Sequence, residues 1–177
     1  IKNAEALERF EKIDTLVVDK TGTLTEGRPA VMAVRPLPGF TEEEILQLAA
    51  SLERASEHPL AEAIVRAAAG RDLPLLRTEG FDSPVGKGVT GKVDGRPMAI
   101  GSARFLDELG LSTEALSAQA DDLRRQGATA IFVAVDGAAA AALAIADPVK
   151  PTTKAAVTAL RSEGLRIVML TGDNRTT

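Results

Sequence analysis

A short apolar segment that ends in a polar, glycine-containing loop occurs near both ends of this chain. Near the amino terminus the β-branched segment Thr15–Val18 is followed by the sequence DKTGTLT at 19–25. Near the other end the helical pattern of 152–162 precedes the apolar segment 166–170, which is followed by TGDN at 171–174. Strand, helix and strand in this order are typical of a parallel doubly wound sheet. We therefore predict that both ends of the chain form one α/β domain.

The middle of the sequence has a different pattern and predicts a second, inserted domain. Glycines separate short β-like segments between residues 76 and 101, and the turn at 136–137 joins two apolar segments into a hairpin. Helical patterns precede and follow these segments, so we expect an antiparallel α+β unit whose sheet is flanked by helices. The predicted fold class is α/β: a Rossmann-like domain formed by 1–29 and 144–177, and an inserted α+β domain at 30–143.

Composition and charge exclude several classes of function. The 177 residues include five Phe but no Trp or Tyr, and the net charge is −4. Nucleic-acid binding favours basic surfaces or aromatic stacking platforms, so we expect no nucleic-acid partner. The chain has no cysteine, which excludes disulfides and thiolate metal sites. No apolar run approaches the roughly 18 residues that a membrane-spanning helix requires.

Asp19 lies where the first predicted strand ends, a position from which a carboxylate can attack phosphorus and carry an aspartyl-phosphate. An isolated Asp after a strand more often only stabilises a turn, but here the neighbouring residues favour chemistry. Loop N–H groups and the hydroxyls of Thr21 and Thr23 can hold phosphate oxygens, and Lys20 adds positive charge. We predict Asp19, Lys20 and Thr21 as catalytic residues, with the Asp19 carboxylate and the Thr21 carbonyl as ligands of Mg²⁺.

The sequence DKTGTLT resembles the phosphorylation signature of P-type ATPases, ion pumps that are phosphorylated by ATP on an Asp. More widely it is similar to the haloacid dehalogenase-like phosphotransferases. TGDN at 171–174 resembles the second phosphate-site motif of these pumps, and DPVK at 147–150 resembles the segment that returns from their inserted domain. The resemblance implies that Thr171 binds the γ-phosphate, that Gly172 leaves room for it and that Asp173 orders the site. It also implies ATP and Mg²⁺ as cofactors.

SEHPL at 56–60 narrows the resemblance to the heavy-metal (P1B-type) pumps, among which bacterial copper-transporting members are most similar. His58 is the only histidine, and a lone histidine is usually a surface or satisfied core residue. The resemblance nevertheless implies that His58 orients the adenine of ATP, that Glu53 contacts it, and that the later glycine-rich segments line the nucleotide path. Ser102 replaces the usual Asn of the family. The implied cofactor-binding residues are Glu53, His58, Gly86, Gly88, Val89, Gly101 and Ser102.

The resemblance also implies a place within a larger protein. The α/β domain becomes an incomplete haloacid dehalogenase-like phosphorylation domain, and the inserted domain becomes a nucleotide-binding domain. Because the chain begins at Ile1 and ends just after the TGD motif, we expect it to be part of a longer pump. Its implied partners are the transmembrane and actuator domains, the rest of the phosphorylation domain and a transported metal ion bound elsewhere. The implied location is the cytoplasmic face of the cell membrane.

Three functions remain open at this point. The first is ATP-driven transport of copper, or of zinc, cadmium or silver, with the chain by itself binding ATP but supporting little phosphorylation. The second is a soluble haloacid dehalogenase-like phosphatase, although such enzymes usually carry a second Asp two residues after the nucleophile, where this chain has Thr21. The third is a nucleotide-binding module without catalysis.

Overall fold

The structure is a computed structural model that describes residues 13–170. Its strands, in chain order, are β1 (Thr15–Asp19), β2 (Ala30–Pro36), β3 (Thr78–Asp82), β4 (Gly88–Val93), β5 (Arg96–Gly101), β6 (Thr129–Val135), β7 (Ala138–Ala146) and β8 (Arg166–Leu170). Its helices are α1 (Glu42–Glu53), α2 (Pro59–Ala69), α3 (Ala103–Glu108), α4 (Ser117–Arg125) and α5 (Thr153–Ser162), and a 3₁₀ turn at Glu114–Leu116 precedes α4. The TGDN motif at 171–174 lies outside the described residues.

The described residues divide into two compact units, one up to Arg28 and from Asp147 onward, the other from Pro29 to Ala146. In the first unit β1 and β8 pair in parallel, from Thr15 opposite Arg166 to Asp19 opposite Leu170. The strand–helix–strand order at the two ends of the sequence therefore produces a parallel pair, as expected for an α/β domain. The second unit extends past the boundary at 143 that the sequence suggested, because β7 continues to Ala146 opposite Ala30 of β2.

The second unit is an antiparallel sheet with helices on both faces. Its six strands have the order β2-β7-β6-β5-β4-β3. Side chains alternate between the faces: in β6, Val133 and Val135 pack with α1 and α2, while Phe132 and Ala134 pack with α3 and α4. This confirms the α+β class expected for the middle of the chain.

The ends of the helices follow from local chemistry. Thr41 Oγ1 accepts a hydrogen bond from the N–H of Glu44 (3.1 Å) at the start of α1, which satisfies one of the free donors of the first turn. The Glu44 carboxylate does not complete a capping box with Thr41, because it pairs with Arg96 at 3.1 Å. Helix α2 begins with Pro59, whose missing N–H is not needed in the first turn.

Strand β3 was not evident from the sequence. Its residues, TEGFD, alternate poorly and are mostly exposed, since β3 lies at the edge of the sheet. It is held by pairing with β4 and by Thr78, whose hydroxyl donates to the carbonyl of Ser51 (2.8 Å) at the end of α1. These contacts fix the start of the loop that leads from β3 towards β4 and the site.

Candidate functional site

A cleft of about 260 Å³ opens in the second unit, where the α1–α2 connection meets the ends of β4 and β5. It brings together residues that are far apart in sequence. All seven residues that the sequence suggested for nucleotide binding line it: Glu53, His58, Gly86, Gly88, Val89, Gly101 and Ser102. Sequence reasoning did not include the other lining residues, which are Ser56, Leu60, Ser83, Pro84, Lys87, Ile100 and Ile131. Ser56 and Leu60 belong to the SEHPL motif and could have been included on that ground.

His58 is the N-cap residue of α2, and this position fixes its ring. Because Pro59 follows, the backbone of His58 is extended (φ −73°, ψ 139°). The Nδ1 atom of the ring accepts a hydrogen bond from the N–H of Leu60 at 3.1 Å. The accepting nitrogen carries no hydrogen, so the neutral ring carries its hydrogen on Nε2. The exposed ring can therefore offer an Nε2–H donor to a ligand in the cleft.

Glu53 is the last residue of α1 and is only 7% exposed. Burial raises the pKa of its carboxyl group, and a hydrogen bond with the Ser56 side chain opposes that change. The Oε2 atom has no hydrogen-bond partner within residues 13–170. A buried polar atom without a partner is unfavourable, so a ligand that supplies a hydrogen bond here would be bound more tightly.

Gly88 and Gly101 face each other across β4 and β5. A Cβ atom at Gly88 would lie 2.2 Å from the carbonyl oxygen of Ile100, and one at Gly101 would lie 2.5 Å from Cδ1 of Phe105. Both distances are too short, so packing within the protein is sufficient to require glycine at these two positions. The sequence had suggested instead that the glycines allow a nucleotide to approach the backbone.

The other predicted residues of the cleft have different roles. Gly86 has a φ of +71° and open space around it, so the left-handed backbone favours glycine there. Val89 is buried in the core that α1 and α2 share with the sheet. Ser102 Oγ accepts a hydrogen bond from the N–H of Phe105 (3.2 Å) and caps α3. Ser102 is therefore a helix cap, and its hydroxyl hydrogen is left to donate.

Asp19 is exposed at the end of β1, where the chain enters the loop Lys20–Leu24. Gly22 in this loop has a φ of +74°, which an L side chain rarely adopts. The Gly22 carbonyl accepts a hydrogen bond from Lys150 Nζ (2.6 Å), and its N–H donates to Thr25 Oγ1 (3.1 Å). The predicted catalytic residues are Asp19, Lys20 and Thr21. The conformation of the loop that contains them is stabilised by Lys150, more than a hundred positions later in the chain.

Asp147 joins the two chain segments next to this loop. Its Oδ2 accepts hydrogen bonds from the Thr25 hydroxyl and from the N–H of Gly27 (3.1 Å), and its Oδ1 accepts from the N–H of Arg28 (3.0 Å). Thr25 is almost completely buried, so these bonds form the ordered base of the loop. The sequence singled out the DPVK motif but did not predict this role for Asp147.

Two groups at the end of β1 match the magnesium ligands that the sequence suggested. Asp19 offers a carboxylate and Thr21 a backbone carbonyl, both of which are oxygen ligands of the kind Mg²⁺ prefers. Residues 13–170 contain no cluster of three or more His, Cys, Asp or Glu side chains able to hold a metal. Mg²⁺ commonly takes its remaining ligands from water and substrate phosphates, so the two groups at Asp19 fit it. The predicted Thr171, Gly172 and Asp173 lie outside the described residues.

None of the helices between residues 13 and 170 combines the length and hydropathy needed to cross a lipid bilayer.

Comparison with known proteins gives consistent matches along the chain. The model of the haloacid dehalogenase-like hydrolases matches residues 13–177. A copper-transporting P-type ATPase of Rhizobium leguminosarum bv. viciae is 52% identical over 177 residues, which are 100% of this chain and 21% of that protein. The chain therefore spans between about a fifth and a quarter of the length of the curated relatives it matches.

Solved structures resemble the chain over almost its full length. A zinc-transporting PIB-type ATPase in its E2.Pi state superimposes with a TM-score of 0.90 at 34% identity, covering 99% of this chain and 28% of that one. The catalytic domain of the CPx-ATPase CopB-B, which is described as changing conformation upon nucleotide binding, gives a TM-score of 0.70 at 30% identity. That match covers 99% of this chain and 60% of the other.

Proposed function

This chain belongs to the haloacid dehalogenase-like hydrolases, and on that basis we propose that its second unit binds ATP and its first unit carries the phosphorylated aspartate of a metal pump. Close relatives over the full chain are copper-transporting P-type ATPases. The observation that carries the proposal is the cleft of the second unit. Seven residues suggested by separate sequence motifs line this one cavity, and a chance arrangement would have scattered them.

The lining of the cleft suits a nucleoside. Leu60, Ile100 and Ile131 provide apolar surface against which a base can pack. The Glu53 carboxyl group and the His58 Nε2–H offer hydrogen bonds to the polar edge of that base. Glu53 then gains a partner for its buried Oε2 atom, which favours a ligand with an N–H group over an apolar one.

Phosphoryl transfer is proposed at Asp19. A carboxylate oxygen of Asp19 forms a bond to the γ-phosphorus of ATP while the bond from that phosphorus to the β,γ-bridging oxygen breaks, and ADP leaves with that oxygen. Mg²⁺ held by the Asp19 carboxylate and the Thr21 carbonyl would supply charge neutralisation for the transferring phosphoryl group. Lys20 contributes positive charge to the same loop.

The residue two positions after Asp19 distinguishes a pump from a phosphatase. Thr21 has a neutral hydroxyl, which is too weak a base at neutral pH to activate water for attack on the aspartyl-phosphate. The phosphoenzyme should therefore persist long enough to be coupled to transport. This favours the pump over the second candidate function, the soluble phosphatase.

We propose that the pump transports a heavy-metal ion. Copper is the ion named for close relatives, while a similar structure is that of a zinc transporter, so zinc and silver remain alternatives. We propose that the chain acts at the cytoplasmic face of the membrane. Its partners there are transmembrane, actuator and further phosphorylation segments of the same pump.

ATP binding is tested by replacing the ring of His58 without losing the helix cap. Asparagine is a favoured N-cap residue, so His58→Asn should leave the unfolding free energy close to wild type while removing the Nε2–H donor. We expect the affinity for ATP, measured by titration calorimetry, to fall about tenfold. Thr41→Asn changes the cap of α1 outside the cleft lining and serves as the control. An unchanged ATP affinity in His58→Asn removes His58 from the site.

Phosphorylation is tested with γ-labelled ATP in a pump that contains this chain. Asp19→Asn should abolish the hydroxylamine-sensitive label, whereas Asp14→Asn, a change of the same kind just before β1, should retain it. Persistence of the label in Asp19→Asn contradicts the assignment of the nucleophile. Rapid hydrolysis of p-nitrophenyl phosphate by the chain alone would instead support the phosphatase.

A further inference from the structure

Three charged side chains form a cluster beside the cleft that the proposed function does not use. Lys87 Nζ lies 2.6 Å from Glu108 Oε2, and Arg104 Nε lies 3.2 Å from Glu108 Oε1. Lys87 also lines the cleft, whereas neither Arg104 nor Glu108 does. One carboxylate thus faces two cations, and the cluster has a net positive charge at the edge of the cavity.

The backbone holds Lys87 in this place. Lys87 N–H donates to the carbonyl of Pro84 (3.1 Å), which closes a turn just before β4. Immediately after Lys87, Gly88 enters the ladder with β5 opposite Gly101. On the other side Glu108 is the last residue of α3, a short helix that begins two residues after Gly101. The ammonium group is therefore kept near the cleft by both its loop and its partner.

The Glu108 carboxylate is ionised under ordinary conditions. The hydrogen bond and the charge of Lys87 lower its pKa, with a smaller effect from Arg104. Both Lys87 and Glu108 remain in contact with solvent, with side chains 52% and 37% exposed. Exposed ion pairs of this kind are weak, so a stronger anion can displace the carboxylate from the lysine.

We propose that Lys87 binds the phosphate groups of the nucleotide, and that Glu108 positions its ammonium group and competes with the phosphates for it. This inference rests on the proposed function. A di- or triphosphate carries several negative charges, so it attracts an ammonium group more strongly than the single carboxylate of Glu108 does. The pair of Lys87 and Glu108 then gives the cleft a preference for phosphorylated nucleosides over nucleosides. The sequence motif at this position indicated only the flanking glycines, Gly86 and Gly88.

The preference is measured by titrating the 177-residue chain with adenosine and with ATP. Lys87→Met should weaken ATP binding about three- to tenfold and leave adenosine binding unchanged, because only ATP has phosphates for the ammonium to contact. Lys92→Met is the matched control: it removes the same charge from the same strand region, but Lys92 does not line the cleft. The control should change neither affinity by more than about twofold.

Glu108→Gln tests the competition. Removing the carboxylate frees Lys87 and takes a negative charge away from the phosphates, so ATP affinity should rise about two- to threefold with adenosine unchanged. Wild-type ATP affinity in Lys87→Met, or an equal loss for ATP and adenosine, overturns this inference and leaves the proposed function intact. Failure of the wild-type chain to bind either ligand overturns both.

Discussion

Replacing Gly88 with alanine should destabilise the second unit through a collision inside the sheet. The added Cβ would lie 2.2 Å from the carbonyl oxygen of Ile100 and 2.6 Å from Cδ1 of Phe105. The phenyl ring can move, but Ile100 is fixed between β4 and β6 by the strand pairs on both sides. Relief therefore requires the β4–β5 ladder itself to shift.

The expected loss is at the upper end of the range for an overpacked site. Such substitutions typically cost 1–3 kcal/mol, and because a backbone oxygen blocks the Cβ we expect about 3 kcal/mol for Gly88→Ala. For a unit of about 120 residues, each kcal/mol corresponds to about 4 °C in the melting temperature. The midpoint of thermal unfolding should thus fall by about 12 °C.

The assay is urea and thermal unfolding followed by circular dichroism, since the chain has no Trp or Tyr for intrinsic fluorescence. Gly95→Ala is the control. Gly95 lies in the β4–β5 turn with a φ of +79° and no atom within 4 Å of an added Cβ, so only backbone strain of about 1 kcal/mol is expected. This comparison separates the collision from the conformational cost of leaving glycine.

A second substitution makes the test sharper. Phe105→Leu removes ring atoms but leaves the carbonyl of Ile100 in place, so it should not rescue Gly88→Ala. It should rescue Gly101→Ala only in part, because the added Cβ there would lie 2.5 Å from the Phe105 ring but also 2.9 Å from the carbonyl oxygen of Lys87, which stays in place. Wild-type stability of Gly88→Ala, or a loss no greater than that of Gly95→Ala, would refute the packing argument.

Two further substitutions have expected effects on stability. Burial raises the pKa of Glu53 above its ordinary 4.5, so over the pH range between 4.5 and the raised pKa the folded state binds more protons than the unfolded state. The unfolding free energy of the wild type therefore falls as pH rises through this range, and Glu53→Gln, which does not titrate, should become increasingly stable relative to the wild type. A stability difference that does not change with pH would contradict this. Asp147→Ala removes the acceptor of the N–H groups of residues 27–28, while the Thr25 hydroxyl keeps the carbonyl of Lys20 as an acceptor at 3.1 Å. It should destabilise the first unit by about 1–2 kcal/mol, with faster amide exchange at 27–28, whereas slow exchange there would count against the proposed anchor.

Local chemistry made several elements predictable from the sequence. Thr41 and Pro59 mark the starts of two helices because a hydroxyl cap and a residue without N–H suit the first turn. The Asp-Gly pairs at 94–95 and 136–137 mark hairpins because both of their residues adopt positive φ. These decisions depend only on residues within a few positions of one another.

Strand β3 was missed because its stability does not come from its own residues. The sequence TEGFD has no apolar alternation, and it becomes a strand only through pairing with β4 and the Thr78 bond to α1. In the same way, the shape of the loop after Asp19 depends on Asp147 and Lys150, more than a hundred residues away. No local pattern contains that information.

The sequence by itself determined the two-part organisation, the family motifs and the residues around which a nucleotide site could form. Only the tertiary structure decided which of these residues share a cleft, why Gly88 and Gly101 must lack a side chain, and that Lys87 is paired with Glu108. The physical reason is that burial, collision and ion pairing depend on distances between segments far apart in the chain. A motif specifies the chemistry of its own residues. The fold determines their neighbours, and therefore their charge state, their conformational freedom and the groups that they can contact.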